Sequence, residues 1–252
     1  MTPRILVTRP AVQDRELDQL LRRRGLSPIC VPTVAIDARS AAPALEAALD
    51  ALEGTDWLVV TSRNGAEAVA RGLGGRADAL PPATRVAAVG PATAAALRQA
   101  GLRVDHVPDD YLTVAIADGL GDVAGRRVLL ARADAATPEL RAALLARGAT
   151  VEEVVAYRTI LGPATSRDAL HAALQRDLDG IAFTSSSTVR GLLRLAPSLD
   201  RRRARNLPAF CIGPVTAETA RRDGFQVEAV AAPHTAAVLA DAIARHFGME
   251  AA

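Results

Sequence analysis

The chain of 252 residues contains no lysine; all 30 of its basic residues are arginine. Without lysine there is no Schiff-base chemistry, no anchor for pyridoxal phosphate and no Walker-type phosphate lysine. Aromatic residues make up only 3% of the chain, so its core must be built from Ala, Leu and Val, and base-stacking platforms are not expected. Charge of one sign is also lacking: 30 basic residues face 28 acidic ones, a net +2. A nucleic-acid partner would call for a larger or more clustered excess. Cys30 and Cys211 are the only cysteines. Both sit in apolar runs and are expected to be buried, reduced thiols of a cytoplasmic protein. His106, His171, His234 and His246 show no ligand spacing, so no metal site is expected. The N-terminal apolar run Ile5-Leu6-Val7 is too short for a leader or a membrane helix, and no membrane partner is expected. Gly-x-Ser-x-Gly, a Cys/His pair and a glycine-rich phosphate loop are all missing. Gly72-Leu73-Gly74-Gly75 follows a helix and reads as a C-cap loop.

What is present is an alternation of short apolar runs with amphipathic segments. Ile5–Val7 reads as a buried strand ending in the polar turn Thr8-Arg9-Pro10. Residues 13–24 read as a helix with Leu17, Leu20 and Leu21 as its stripe and Gly25 behind it. Val31–Ile36 reads as a strand and Pro43–Leu52 as a helix. Trp57–Val60 and Val86–Val89 are further buried strands, each running through a polar loop into a helix, the second of which stops at Gly101. The run Val151–Leu161, bounded by Gly148 and Gly162-Pro163, is β-branched and extended. Strands alternating with helices over short loops indicate parallel sheets covered on both faces.

The second half repeats the first at one offset. Val128-Leu-Leu-Ala-Arg132 lies 123 positions after Ile5-Leu-Val-Thr-Arg9, and Phe183-Thr-Ser185 lies as far after Val60-Thr-Ser62. Ile212-Gly-Pro-Val-Thr-Ala217 follows Val89-Gly-Pro-Ala-Thr-Ala94 at the same spacing. The period exceeds that of any solenoid, so the chain is a duplicated α/β unit with two similar doubly wound lobes. The lobes divide either near Gly125, one per repeat, or by a swap of the first βα unit of each copy. In the swapped arrangement the chain crosses between lobes at strands 31–38 and 154–163, which sets Tyr157 at the mouth of an interlobe cleft. In the repeat register Tyr157 answers to Val34. The phenol has no counterpart in the first copy.

In open α/β sheets ligands bind where strand ends lead into helix N-termini. Three such loops occur in each copy. Arg9 and Arg132 set a guanidinium just past a strand. Thr61-Ser62-Arg63-Asn64 and Thr184-Ser185-Ser186 offer hydroxyls and backbone N–H groups, as do Gly90-Pro-Ala-Thr93 and Gly213-Pro-Val-Thr216. Together these groups suit an anion. Any one of the Ser or Thr residues would serve as an ordinary helix cap; recurrence of all three loop types at matched positions is what points to a ligand. Arg201-Arg-Arg-Ala-Arg205, expected in a loop before Pro208, reads as a solvated face.

The ordered series resembles the uroporphyrinogen-III synthase family. It comprises Ile-Leu-Val-Thr-Arg-Pro at the start, Val-Thr-Ser-x-Asn-Gly, Val-Gly-x-x-Thr-Ala, Gly148-Ala-Thr-Val151 leading to Tyr157-Arg-Thr159, Phe-Thr-Ser-x-Ser and Ile-Gly-x-x-Thr-Ala. The resemblance implies two α/β lobes joined by a two-stranded linker, with residues 1–36 and 164–252 in one and 37–163 in the other. The implied substrate is hydroxymethylbilane, a linear tetrapyrrole with eight carboxylates. The implied reaction closes it to the type III macrocycle with loss of water and inversion of the last pyrrole ring, without a cofactor; unaided, the bilane closes to type I. Such a catalyst folds a flexible anion into one geometry. By the same resemblance Tyr157 is a proton donor assisting loss of the hydroxyl, and Thr93 and Thr216 line the cleft, with the loops of Ser62 and Ser185 facing it. A phenol, with an ordinary pKa of about 10, keeps its proton at neutral pH. Residues 63 and 186 differ between the copies, so carboxylates are not matched to single residues. A transient contact with hydroxymethylbilane synthase and a monomeric state are also implied. The competing readings are a two-lobed tetrapyrrole or small-anion binding or regulatory protein without catalysis, and a sugar-phosphate or nucleotide enzyme. The missing lysine and glycine-rich loop speak against the latter.

Overall fold

The computed structural model describes residues 2–9, 16–76, 80–108 and 115–249; Pro10 and the first residues of the helix expected from 13 lie outside them. The described strands are β1 Arg4–Val7, β2 Ser27–Cys30, β3 Val34–Asp37, β4 Trp57–Val60, β5 Arg85–Ala88, β6 Arg127–Ala133, β7 Thr150–Leu161, β8 Gly180–Phe183, β9 Ala209–Cys211 and β10 Val227–Val230. The helices are α1 Glu16–Arg23, α2 Ala42–Asp50, α3 Arg63–Gly72, α4 Pro91–Gln99, α5 Ala115–Gly119, α6 Glu139–Ala146, α7 Arg167–Leu174, α8 Ser186–Leu195, α9 Ser198–Arg205, α10 Pro214–Arg222 and α11 Ala236–His246. None of these is long and apolar enough to cross a membrane.

The chain forms two compact units, one of Met1–Ala35 with Ile160–Ala252 and one of Ile36–Thr159. The first unit is built on a sheet of order β10-β9-β8-β1-β2, parallel throughout. Its two faces carry separate cores. Leu6, Ile181, Phe183 and Cys211 pack with α7, α8 and α10 on one side; Ile5, Val7, Ala182 and Phe210 pack with α1 and α11 on the other. Alternation along each strand sends neighbours to opposite faces, and burial on both faces is why these strands read as unbroken apolar runs.

The second sheet has the order β3-β7-β6-β4-β5, with β4, β5, β6 and β7 parallel. Leu58, Val60, Val86, Ala88, Leu129 and Ala131 face α2, α3 and α4. Trp57, Val59, Ala87, Val128 and Leu130 face α5 and α6. Two doubly wound parallel sheets of matched composition are the fold that the duplication implies.

Three local expectations are corrected. The Val31–Ile36 strand is broken at Pro32-Thr33: β2 belongs to the first sheet and β3 to the second. Pro32 has no N–H to give a ladder, and the fully buried Thr33 turns its hydroxyl to Thr8 O at 3.0 Å and Thr188 O at 2.9 Å. Cys30 is exposed, while Cys211 is buried. β2 is an edge strand, and its last residue points outward, where the thiol meets Asp18 Oδ2 at 2.8 Å. Arg201–Arg205 is helical, not a loop. It lies in α9, whose Asp200 and Ala204 turn inward one helical turn apart while Arg201, Arg202 and Arg205 stay exposed.

Candidate functional site

All the parallel strands of each sheet end on the same edge, so the loops singled out by the repeat are neighbours within each unit. In the first unit Arg9 follows β1, Thr184–Ser186 follow β8 and Gly213–Thr216 follow β9, on three adjacent strands. In the second unit Thr61–Asn64 follow β4 and Gly90–Thr93 follow β5, beside β6 and β7.

The four helix starts are built in matched pairs. Ser62 and Ser185 are extended N-caps; the Ser62 side chain accepts Gly65 N–H at 3.0 Å and the Ser185 side chain accepts Thr188 N–H at 3.3 Å. α4 and α10 start at Gly90-Pro91 and Gly213-Pro214 without a side-chain cap. Proline at the first helical position costs no hydrogen bond, because that N–H has no partner within the helix. Thr93 and Thr216 are 4% and 5% exposed, and neither hydroxyl is engaged by another described residue. Uncapped N–H groups with the positive end of the helix dipole behind them are of the kind that attract anions.

The pairs then diverge. In the first unit Ser186 Oγ donates to Val215 O at 3.2 Å and accepts from Thr219 Oγ1 at 2.9 Å, which ties α8 to α10. Its counterpart Arg63 is exposed and pairs with Glu67 at 3.1 Å, one turn along the same helix.

Tyr157 marks the larger difference. It is 7% exposed, and its hydroxyl oxygen accepts from Ser62 Oγ at 3.0 Å. A break in register brings it there. β7 pairs with β6 regularly up to Arg132↔Val155, and the next pair is Ala133↔Tyr157, so Ala156 is an extra residue. Strict alternation would set Tyr157 on the face of Val155. The bulge turns it to the face of Val154 and Ala156, whose core it joins. The ring then lies on the side of β6 that carries Ala131 and Ala133, small residues beside its path toward β4. Gly65 completes the seat, since a Cβ there would stand 3.2 Å from Ser62 Oγ and 3.3 Å from a Val60 methyl.

Arg132 is not where the sequence suggests. It lies inside β6, not beyond it, on the face opposite Tyr157, and is 2% exposed. Its guanidinium donates to Thr137 O and reaches Glu153 Oε1 at 3.5 Å, leaving Nε without a partner. Arg9, its counterpart, is half-buried at the end of β1. Sequence reasoning also missed Asp134. Its N–H donates to Tyr157 O at 3.1 Å and its Oδ1 accepts Thr159 N–H at 3.0 Å. No motif marks it, since it belongs to the strand connection rather than to a helix start.

A family model described as uroporphyrinogen-III synthase HemD matches residues 15–241. The chain belongs to the uroporphyrinogen-III synthase family. It is 34% identical over 240 residues to the uroporphyrinogen-III synthase of Synechococcus elongatus, covering 92% of this chain and 90% of that one. In fold it is similar to a triple mutant of the uroporphyrinogen III synthase of Thermus thermophilus, with a TM-score of 0.65 at 22% identity over 98% of this chain and 99% of that one. The uroporphyrinogen-III synthetase of Helicobacter pylori has a TM-score of 0.62 at 15% identity, covering 98% and 100% of the two chains.

Proposed function

We propose that this enzyme is a cyclising lyase that converts hydroxymethylbilane to uroporphyrinogen III, with Tyr157 as the proton donor. The observation that carries the assignment of Tyr157 is the bulge in β7, which departs from a regular ladder and turns a phenol onto the serine that caps α3. Ser62 Oγ donates to the phenol oxygen, which leaves the phenol proton to point elsewhere. When that proton reaches the leaving hydroxyl, the C–O bond breaks, water departs and the pyrrole nitrogen shares the positive charge left on carbon. The donation from Ser62 then stabilises the phenolate oxygen, which takes back a proton once the new C–C bond has formed.

Binding, in this reading, falls to the helix starts. Thr61, Ser62, Arg63, Asn64 and Thr93 in one unit, with Arg9, Thr184, Ser185, Ser186 and Thr216 in the other, receive acetate and propionate groups. Arg132 supports the second unit's loops from inside the sheet. Folding a flexible octa-anion into one productive geometry accounts for the type III outcome against the spontaneous type I closure. The protein is read as a cytoplasmic monomer that takes its substrate from hydroxymethylbilane synthase in a transient contact.

The deciding experiment generates hydroxymethylbilane in situ, adds the protein, oxidises the product and separates the isomers. Predominantly type III porphyrin is expected. Type I alone would leave a tetrapyrrole-binding protein without catalysis.

A further inference from the structure

Past the bulge β7 regains one ladder pair with β6, Ala133↔Tyr157, before β6 ends. The residue that follows β6 closes that pair through its backbone and adds a side-chain bond beyond it. Asp134 N–H donates to Tyr157 O at 3.1 Å, and Asp134 Oδ1 accepts Thr159 N–H at 3.0 Å. One residue therefore grips the backbone at the tyrosine and two positions beyond it. The connection is itself held three residues further on, where the Arg132 guanidinium donates to Thr137 O and reaches back to Glu153 on β7. Asp134 is exposed, so core packing does not account for its placement.

We propose that Asp134 is a positioning residue for the reaction: its carboxylate, bonded to Thr159 N–H beyond the bulge, sets the backbone from which the Tyr157 phenol is aimed at the departing hydroxyl. The inference rests on the reading of Tyr157 as proton donor. The phenol oxygen lies a full side chain away from the backbone, so a small twist at the Tyr157 Cα is magnified there. Misplacement by about 1 Å costs up to about 10²-fold in rate.

The test compares Asp134→Ala, Asp134→Asn and Asp134→Glu, in the wild type and in Tyr157→Phe, by kcat and KM for type III formation. Asp134→Ala is expected to lower kcat about five- to tenfold with KM within about twofold. Asp134→Asn keeps an oxygen for Thr159 N–H and is expected to stay close to wild type. Asp134→Glu keeps the charge but is a methylene too long; it is expected to lose kcat, which keeps the test open should the alanine variant fail to fold. In the Tyr157→Phe background none of the three should slow the reaction further, because there is no phenol left to aim. A slow Tyr157→Phe with Asp134→Ala and Asp134→Glu at wild-type kcat would overturn the role of Asp134 alone. So would equal losses in both backgrounds, or an asparagine variant as slow as alanine. Wild-type kcat and isomer ratio in Tyr157→Phe would remove the proton-donor reading, and the positioning proposal with it.

Discussion

Ser62 Oγ lies 3.0 Å from Tyr157 Oη and donates to it while accepting Gly65 N–H at the same distance. One hydroxyl thus caps α3 and orients the phenol. Tyr157→Phe is expected to lower kcat by about 10²-fold at most, the bottom of the range for a general acid, because the bilane ionises readily and closes without help. Ser62→Ala should cost less in kcat, roughly tenfold or below, but should also lower stability by about 1 kcal/mol through the lost cap. Single-turnover rates on enzymatically generated bilane and thermal melting separate the two effects. A Ser62→Ala variant that melts early yet turns over at the wild-type rate would break the link to Tyr157.

Thr93 and Thr216 occupy the same place in the two copies, buried near the starts of α4 and α10 with hydroxyls that no other described residue engages. The proposed role of each hydroxyl is to bind an anion at the helix start. Thr→Val at either position would remove the proposed hydrogen bond to a charged group, worth about 1.5–3 kcal/mol. KM is expected to rise about 10-fold or more for each variant, with kcat changing less. Wild-type KM in both variants would place the substrate elsewhere.

The fold was legible because the chain says it twice. Val60-Thr-Ser62 and Phe183-Thr-Ser185 each end a buried strand and cap a helix, so one copy checks the other. The bulge was not legible. Val154, Val155, Ala156 and Tyr157 read as one extended run, and which face Tyr157 takes depends on the pairing partner rather than on its neighbours in sequence. Arg132 misled for a related reason. The sequence shows a basic residue at the end of an apolar run, but only the length of β6 decides whether it stands past the sheet or inside it. Asp134 carried no signal at all, because its role depends on a register shift in another strand.

Arg132 is expected to act through stability. Its guanidinium is 2% exposed and shared between Thr137 O and Glu153, whose own side chain is 33% exposed. Deleting one member of a fully buried ion pair costs about 3–5 kcal/mol; partial hydration of Glu153 brings the expectation for Arg132→Ala to roughly 2–3 kcal/mol. Urea unfolding of the variant checks this. Wild-type stability combined with a large rise in KM would return Arg132 to direct contact with substrate.

Asp56 makes a pH-dependent contribution to stability that a titration can locate. The Arg127 N–H hydrogen bond holds its carboxyl below the ordinary value near 3.8, helped by the Arg126 guanidinium and opposed by partial burial. Oδ2 accepts from Arg127 N at 2.9 Å and Oδ1 from Arg126 at 2.8 Å, which joins the start of β6 to the loop before β4. A carboxyl whose folded value lies below its unfolded value binds fewer protons when folded. Its stabilising contribution is therefore complete above the unfolded value and is lost as pH falls through the folded one. The gap in urea midpoint between wild type and Asp56→Asn should stay constant from neutral pH down to about pH 5 and close below about pH 4. A gap of the same size at pH 7 and pH 3 would mean that Asp56 acts through shape and hydrogen bonding alone, with its ionisation contributing nothing to the junction of β4 and β6.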